Sequence, residues 1–178
     1  MFRSIAVYGL LAGLIVTIPM DLAMVFAHSD SVFKGMVFGY LTMIVGLTGV
    51  FLGIKHVRDR VFGGAIKFWQ ALLVGLGISA VASFIYVLGW ELTLALTDHE
   101  LVGAYSQAMV AAVKNRGGTV AEIQQAIADA AEFARMYRNP ASRMSITFIE
   151  MFPVGVLISL ISAALLRNTR LLPQRAAA

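Results

Sequence analysis

The sequence predicts an all-α fold, an integral membrane bundle of four transmembrane helices with an extracytoplasmic amphipathic helical hairpin. Three observations predict it. Of 178 residues, 59% are hydrophobic and only 13% charged, whereas soluble domains carry about 25% charged residues. A spanning helix needs roughly 20 predominantly apolar residues, and four stretches, at about 5–27, 35–54, 69–96 and 144–166, meet that length. Between the third and fourth lies a polar excursion, 97–143, with a helical periodicity of its own.

Composition also excludes function classes. The absence of cysteine removes disulfide frameworks, zinc ribbons, thiol nucleophiles and iron–sulfur clusters. A net charge of +4 would hint at nucleic acid in a soluble chain. In a membrane chain basic residues gather in loops for topological reasons, so no nucleic-acid partner is expected.

Each element follows in order. The apolar run at 5–27 is longer than a signal-peptide core of about 7–15 residues and precedes no small-x-small cleavage site, so it reads as a retained span. In the third span Trp69 and Trp90 stand 21 residues apart, roughly 32 Å along a helix, which puts one indole at each interface. Arg3, Lys55, Arg58, Arg60, Lys67, Arg167, Arg170 and Arg175 fall on one side, eight of the 14 basic residues in the shorter set of loops. The positive-inside bias therefore predicts that both termini are cytoplasmic. Small residues at four-residue steps give each span a packing seam. They are Gly9-x-x-x-Gly13 continuing to Thr17 and Asp21, Gly35-x-x-x-Gly39 with Gly49-x-x-x-Gly53, Gly75 with Ser79 and Ser83, and Gly155 with Ser159 and Ser162.

The polar excursion reads as two helices. Leu101, Tyr105, Met109, Val110 and Val113 recur at helical spacing until Gly117-Gly118 breaks the run. Thr119-x-x-Glu122 is a capping box. Beyond it Val120, Ile123, Ile127, Ala130, Ala134 and Tyr137 form one apolar stripe, opposite Gln124, Gln125, Asp129, Glu132 and Arg135. Asn139-Pro140 closes the segment. The hairpin is expected to lie on the bilayer, to cap the spans, or to offer a face to a partner.

Three acids fall within or at the rim of spans: Asp21, Glu91 and Glu150. Unpaired carboxylates in hydrocarbon are costly, so such groups are usually paired, protonated or functional. Counted from the span ends, all three lie about 7–9 Å inside the outer boundary and are expected to share one level. Pro19 and Pro153 lie close by in sequence and would each free a backbone carbonyl as a further acceptor. Two readings stand side by side. Arg135, Arg138 and Arg143 pair with the acids as a structural network, or the acids form a proton or cation site. The inner loop at 55–67, with Lys55, Arg58, Arg60 and Lys67, is expected to contact lipid head groups.

Other chemistry finds no support. His28 and His99, near Asp30 and Asp98, suggest at most a surface metal site, and no HExxH motif is present. Gly63-Gly64 lacks a phosphate loop. The span serines have no mid-span lysine to activate them. No enzyme activity and no cofactor are expected.

Gly39-Tyr40, Gly53-Ile54-Lys55, Arg58-Asp59, Gly63-Gly64 and Phe68 together resemble the central signature of domain-of-unknown-function family 4199. Glu150-Met151-Phe152-Pro153-Val154-Gly155 and Ser159-Leu160-Ile161-Ser162-Ala163 resemble its C-terminal signature. The resemblance covers nearly the whole chain. It implies a bacterial inner-membrane protein with four spans and a helical outer segment, and it implies no activity. Of the three acids, only Glu150 lies in these motifs. The expected role is a structural, assembly or regulatory membrane component acting through the outer hairpin. Its expected partners are membrane lipids and either further copies of itself or another membrane protein. The alternative is a small oligomeric transporter or channel subunit using the carboxylates.

Overall fold

The computed structural model describes residues 1–26, 32–97 and 100–172. Among them six helices and no strands occur: α1 (Phe2–Phe26), α2 (Val32–Arg60), α3 (Phe68–Leu96), α4 (Glu100–Asn115), α5 (Val120–Arg138) and α6 (Pro140–Leu166). The fold is all-helical. Helices α1, α2, α3 and α6 are long and apolar enough to cross a membrane.

The span boundaries are wider than the hydropathy windows. Helix α2 runs on to Arg60 and α6 starts at Pro140, so Lys55, Arg58 and Arg60 lie on a helix rather than in a loop. Hydropathy marks where lipid is tolerated, whereas backbone hydrogen bonding continues until a turn stops it. Here the stop is Gly63-Gly64, at φ +64° and +95°, a left-handed turn that a β-carbon disfavours. At the other boundary Asn139 accepts a hydrogen bond from the Ala141 N–H at 3.0 Å, with Pro140 in the first turn.

Helix α3 is the central element, packing on α1 along one side and α6 along the other, with α2 against all three. Small residues permit this. A β-carbon on Gly13 would lie 2.7 Å from Ile85 Cβ, and one on Gly155 2.6 Å from Ser79 Cβ. Between α3 and α6 the Ser79 and Ser159 hydroxyls meet at 3.2 Å, while Ser159 donates to the Gly155 carbonyl at 2.7 Å. A hydroxyl has one proton, so Ser79 is the donor to Ser159. Leu47, Val50, Ile54, Ile78, Ala82 and Met151 fill the centre. Leu73, Leu92, Leu157 and Ile161 are each about 60% exposed on the outside. Such an apolar exterior suits lipid.

Helices α4 and α5 form the hairpin, turned at Gly117 (φ +76°). The capping box is present: the Thr119 N–H donates to Glu122 Oε2 at 2.7 Å, and the Glu122 N–H to Thr119 Oγ1 at 3.3 Å. The stripe on α5 is rotated from the expected one. Ala126, Ala130 and Tyr137 are buried, whereas Val120 and Ile127 are 74% and 50% exposed. The reason is local packing. Phe133 lies between the Tyr105 and Tyr137 rings, with centroids 5.2 and 4.3 Å away, so the aromatic contacts set the rotation of α5 and leave Ile127 in the open groove beside α4.

Two outcomes are expected. Gly13→Val should destabilise the protein by about 1–3 kcal/mol through overpacking, while Gly39→Ala should be nearly silent, since among the described residues its β-carbon comes no nearer than 3.6 Å, to Met20 Cε. Thermal unfolding in detergent reads both. The Thr119 backbone and hydroxyl hold the Glu122 carboxyl below the usual range. A depressed folded-state pKa means that the cap is fully formed above the ordinary glutamate value of about 4.3. It weakens as pH falls through the lower folded value. Amide exchange at the start of α5 should therefore rise only in acid, and at all pH values in Thr119→Ala.

Candidate functional site

The register of the spans places the three acids. Glu91 on α3 meets Arg143 on α6, and Ser79 meets Gly155 and Ser159, so these two helices run antiparallel. On the other side of α3, Gly9 faces Val81 and Ile78, Gly13 faces Ile85, and Gly89 faces Thr17 and Asp21. Asp21 thus lies level with Glu91 near Trp90. Glu150 follows Arg143 by seven residues, so it sits about 10 Å deeper. The single shared level is corrected to two levels.

Each acid has a different environment. Arg143 grips Glu91 with a two-pronged contact, Nε to Oε1 at 2.7 Å and a second nitrogen to Oε2 at 2.5 Å, and also donates to the Tyr137 carbonyl. Side-chain exposures of 12% and 17% make this a largely buried pair. It ties the base of the hairpin to α3. Glu150 lies on the exposed face of α6 with Ile149 and Pro153 and forms no ion pair among the described residues. Asp21 forms none either, and its Oδ1 is buried without a hydrogen-bond partner. The Thr93 side chain stands beside the same carboxyl.

The arginines therefore divide. Only Arg143 pairs with a span acid. Arg135 pairs with Glu132 one turn back at 3.0 Å, both exposed, and Arg138 is exposed. The cause is reach: both sit on the hairpin's solvent-facing side, away from α1. Pro19 is also corrected as a supplier of a carbonyl to Asp21. It is exposed, on the face of α1 opposite Thr17 and Asp21. Pro153 does share the face of Glu150.

At the opposite end of the spans, Arg58 departs most from expectation. Its side chain has 0% exposure, so it is no lipid head-group contact. The guanidinium donates to the Leu171 and Leu172 carbonyls at 2.9 and 2.5 Å and to Asp59 Oδ1 at 2.8 Å. Lys55 holds the other Asp59 oxygen at 2.6 Å. Leu172, at φ +49°, takes a left-handed conformation to deliver its carbonyl. One signal in the sequence points to this: Arg58 continues the buried face of Val50 and Ile54 at helical spacing. Arg60 and Lys67 are exposed and Lys55 half-buried; these three remain at the surface.

His28, His99, Asp30, Asp98 and Arg175 lie outside the described residues. Among those described, no group of three or more His, Cys, Asp or Glu side chains converges on a metal position. On the hairpin, Ser106, Val110, Ala111, Lys114, Ala130 and Ala134 help line an open groove of about 520 Å³ between α4 and α5.

Comparison with known proteins gives one match. A family model described as "Protein of unknown function (DUF4199)" matches residues 7–168. No curated protein and no solved structure matches.

Two substitutions probe the charged contacts. Glu91→Gln removes the carboxylate that meets both prongs of Arg143 and should cost about 2–3 kcal/mol, with the loss seen first as faster amide exchange where α5 meets α6. Arg58→Lys keeps the charge but cannot serve three acceptors in a fork. Trypsin should then cut after Arg167 and Arg170 several times faster, whereas Arg60→Lys should leave the rate unchanged.

Proposed function

The chain belongs to the DUF4199 family, and on that premise we propose that it is a structural or regulatory membrane component that presents its α4–α5 hairpin to a partner. One observation carries this reading. The hairpin packs mainly on itself and is fastened to the spans at its base, where Arg143, held by Glu91, donates to the Tyr137 carbonyl, leaving a groove lined by small residues open. Alanine-lined grooves admit a third helix closely, so the occupant we propose is a helix of another membrane-anchored protein. The exposed Ile127, at the groove, would supply apolar contact and Lys114 a charged rim.

The setting we propose is a bacterial inner membrane, with both termini and Arg3 on the cytoplasmic side and the hairpin outside. Positive-inside asymmetry supports it. Arg60, Lys67 and the half-buried Lys55 would then face anionic lipid head groups, and neither enzymatic activity nor nucleic-acid binding is part of the reading.

Site-directed photocrosslinking in native membranes tests the proposal. A crosslinker at Ile127 should yield a discrete heavier protein adduct, and one at Gln124, on the polar face, should not. Adducts to lipid alone at both positions would sink the hairpin as a docking element. Reporter fusions at the C-terminus check the orientation separately.

A further inference from the structure

Thr17 differs from four other threonines of the chain. Thr42, Thr48, Thr97 and Thr147 each donate to a carbonyl three or four residues back, at 2.5 to 2.9 Å. That bond is the ordinary refuge of a hydroxyl inside a helix. Thr17 is 4% exposed, and its Oγ1 has no partner. One turn further along α1, Asp21 leaves Oδ1 equally unpartnered. Two adjacent buried oxygens without hydrogen bonds are costly in an apolar surrounding.

On α3 the Thr17 methyl and the second Asp21 oxygen, Oδ2, both meet Gly89, with the two unpartnered oxygens borne by the same side chains. A β-carbon on Gly89 would collide with Thr17 Cγ2 and lie 3.0 Å from Asp21 Oδ2. Glycine at 89 thus makes room for the pair, and Thr93, one turn on, brings a third oxygen-bearing side chain to the Asp21 carboxyl. The neighbouring charge is already committed, since Arg143 is held by Glu91. Of the other titratable groups, Tyr86 on α3 is within electrostatic reach of Asp21, as it is of Tyr40 on α2 and Glu150 on α6. The Tyr86 hydroxyl is turned to Met20 Sδ at 3.1 Å. The site is therefore oxygen-lined and carries one carboxylate, and among the described residues no basic side chain reaches it.

We propose that Asp21, Thr17 and Thr93, gathered at Gly89, form a binding site for a small monovalent cation such as sodium. The chemistry selects the class. Hard oxygen donors favour alkali or alkaline-earth ions over transition metals. A single carboxylate balances one positive charge, while calcium takes six to eight oxygens, usually with several carboxylates. A bound cation would satisfy Thr17 Oγ1 and Asp21 Oδ1 together, with water completing its shell. The site makes no demand on the hairpin and stands apart from the docking proposal.

The test uses the full chain in detergent and a hydrophobic carbodiimide, which modifies protonated carboxyls in apolar surroundings. Labelling of Asp21 is followed by mass spectrometry at fixed pH, in sodium chloride or in choline chloride of equal ionic strength. Sodium should slow labelling of Asp21 about fivefold or more once it exceeds a few times its dissociation constant. Asp21→Asn should abolish the label. Thr17→Val, which keeps the shape and removes the hydroxyl, should leave labelling intact but lose sodium protection, while Thr48→Val keeps it. A labelling rate indifferent to sodium would overturn the site in favour of water or a proton alone. Full protection in Thr17→Val would overturn it equally.

Discussion

The close approach of α3 to its two neighbours is the constraint on which the other features depend. Lipid gives helices no hydrophobic reason to associate, so contact area and short polar bonds must do it. Gly9 and Gly13 bring α1 against α3, and Gly75 and Gly155 bring α6 against it, with the Ser79–Ser159 bond between them. Once these contacts fix the register, the depth of every polar group follows. Asp21 comes level with Gly89 and Thr93, Arg143 comes level with Glu91, and Glu150 is carried deeper.

The charged groups then fall into two kinds. Those that hold the structure together have all their partners. Arg143 and Glu91 bind the hairpin base to α3, and Arg58 binds the segment after α6 beneath α2 through two backbone carbonyls and Asp59. A buried guanidinium is tolerated when each prong meets an acceptor, and removal of one partner costs far more than the pair contributes. Arg58 and Asp59 both lie in the stretch matched by the family model.

Asp21 is of the second kind. Its described neighbours are Thr17 and Thr93 rather than cations, and Thr17 lacks the backbone bond that Thr42, Thr48 and Thr147 make. The hairpin is also unfinished in its own way, with alanines inside and Val120 and Ile127 outside. On the proposals made above, an ion would complete the first feature and a helix the second.

Much of this was legible from residue order. Apolar runs of spanning length, Thr119 with Glu122 and Asn139 with Pro140 state local facts, and local facts need no knowledge of distant residues. They determined four spans, a capped helical hairpin and an all-helical fold. Partner choice was different, because it depends on which helix face meets which. Three arginines were expected on the same side as three acids, and only the packing of α3 against α6 selected Arg143 for Glu91. Arg58 looked like a loop cation until the chain beyond α6 folded under α2, and Thr17 and Asp21 gained their meaning from Gly89 on another helix. Periodicity and length are set within one segment, whereas burial and pairing of charge are set between segments, and tertiary structure alone decides those.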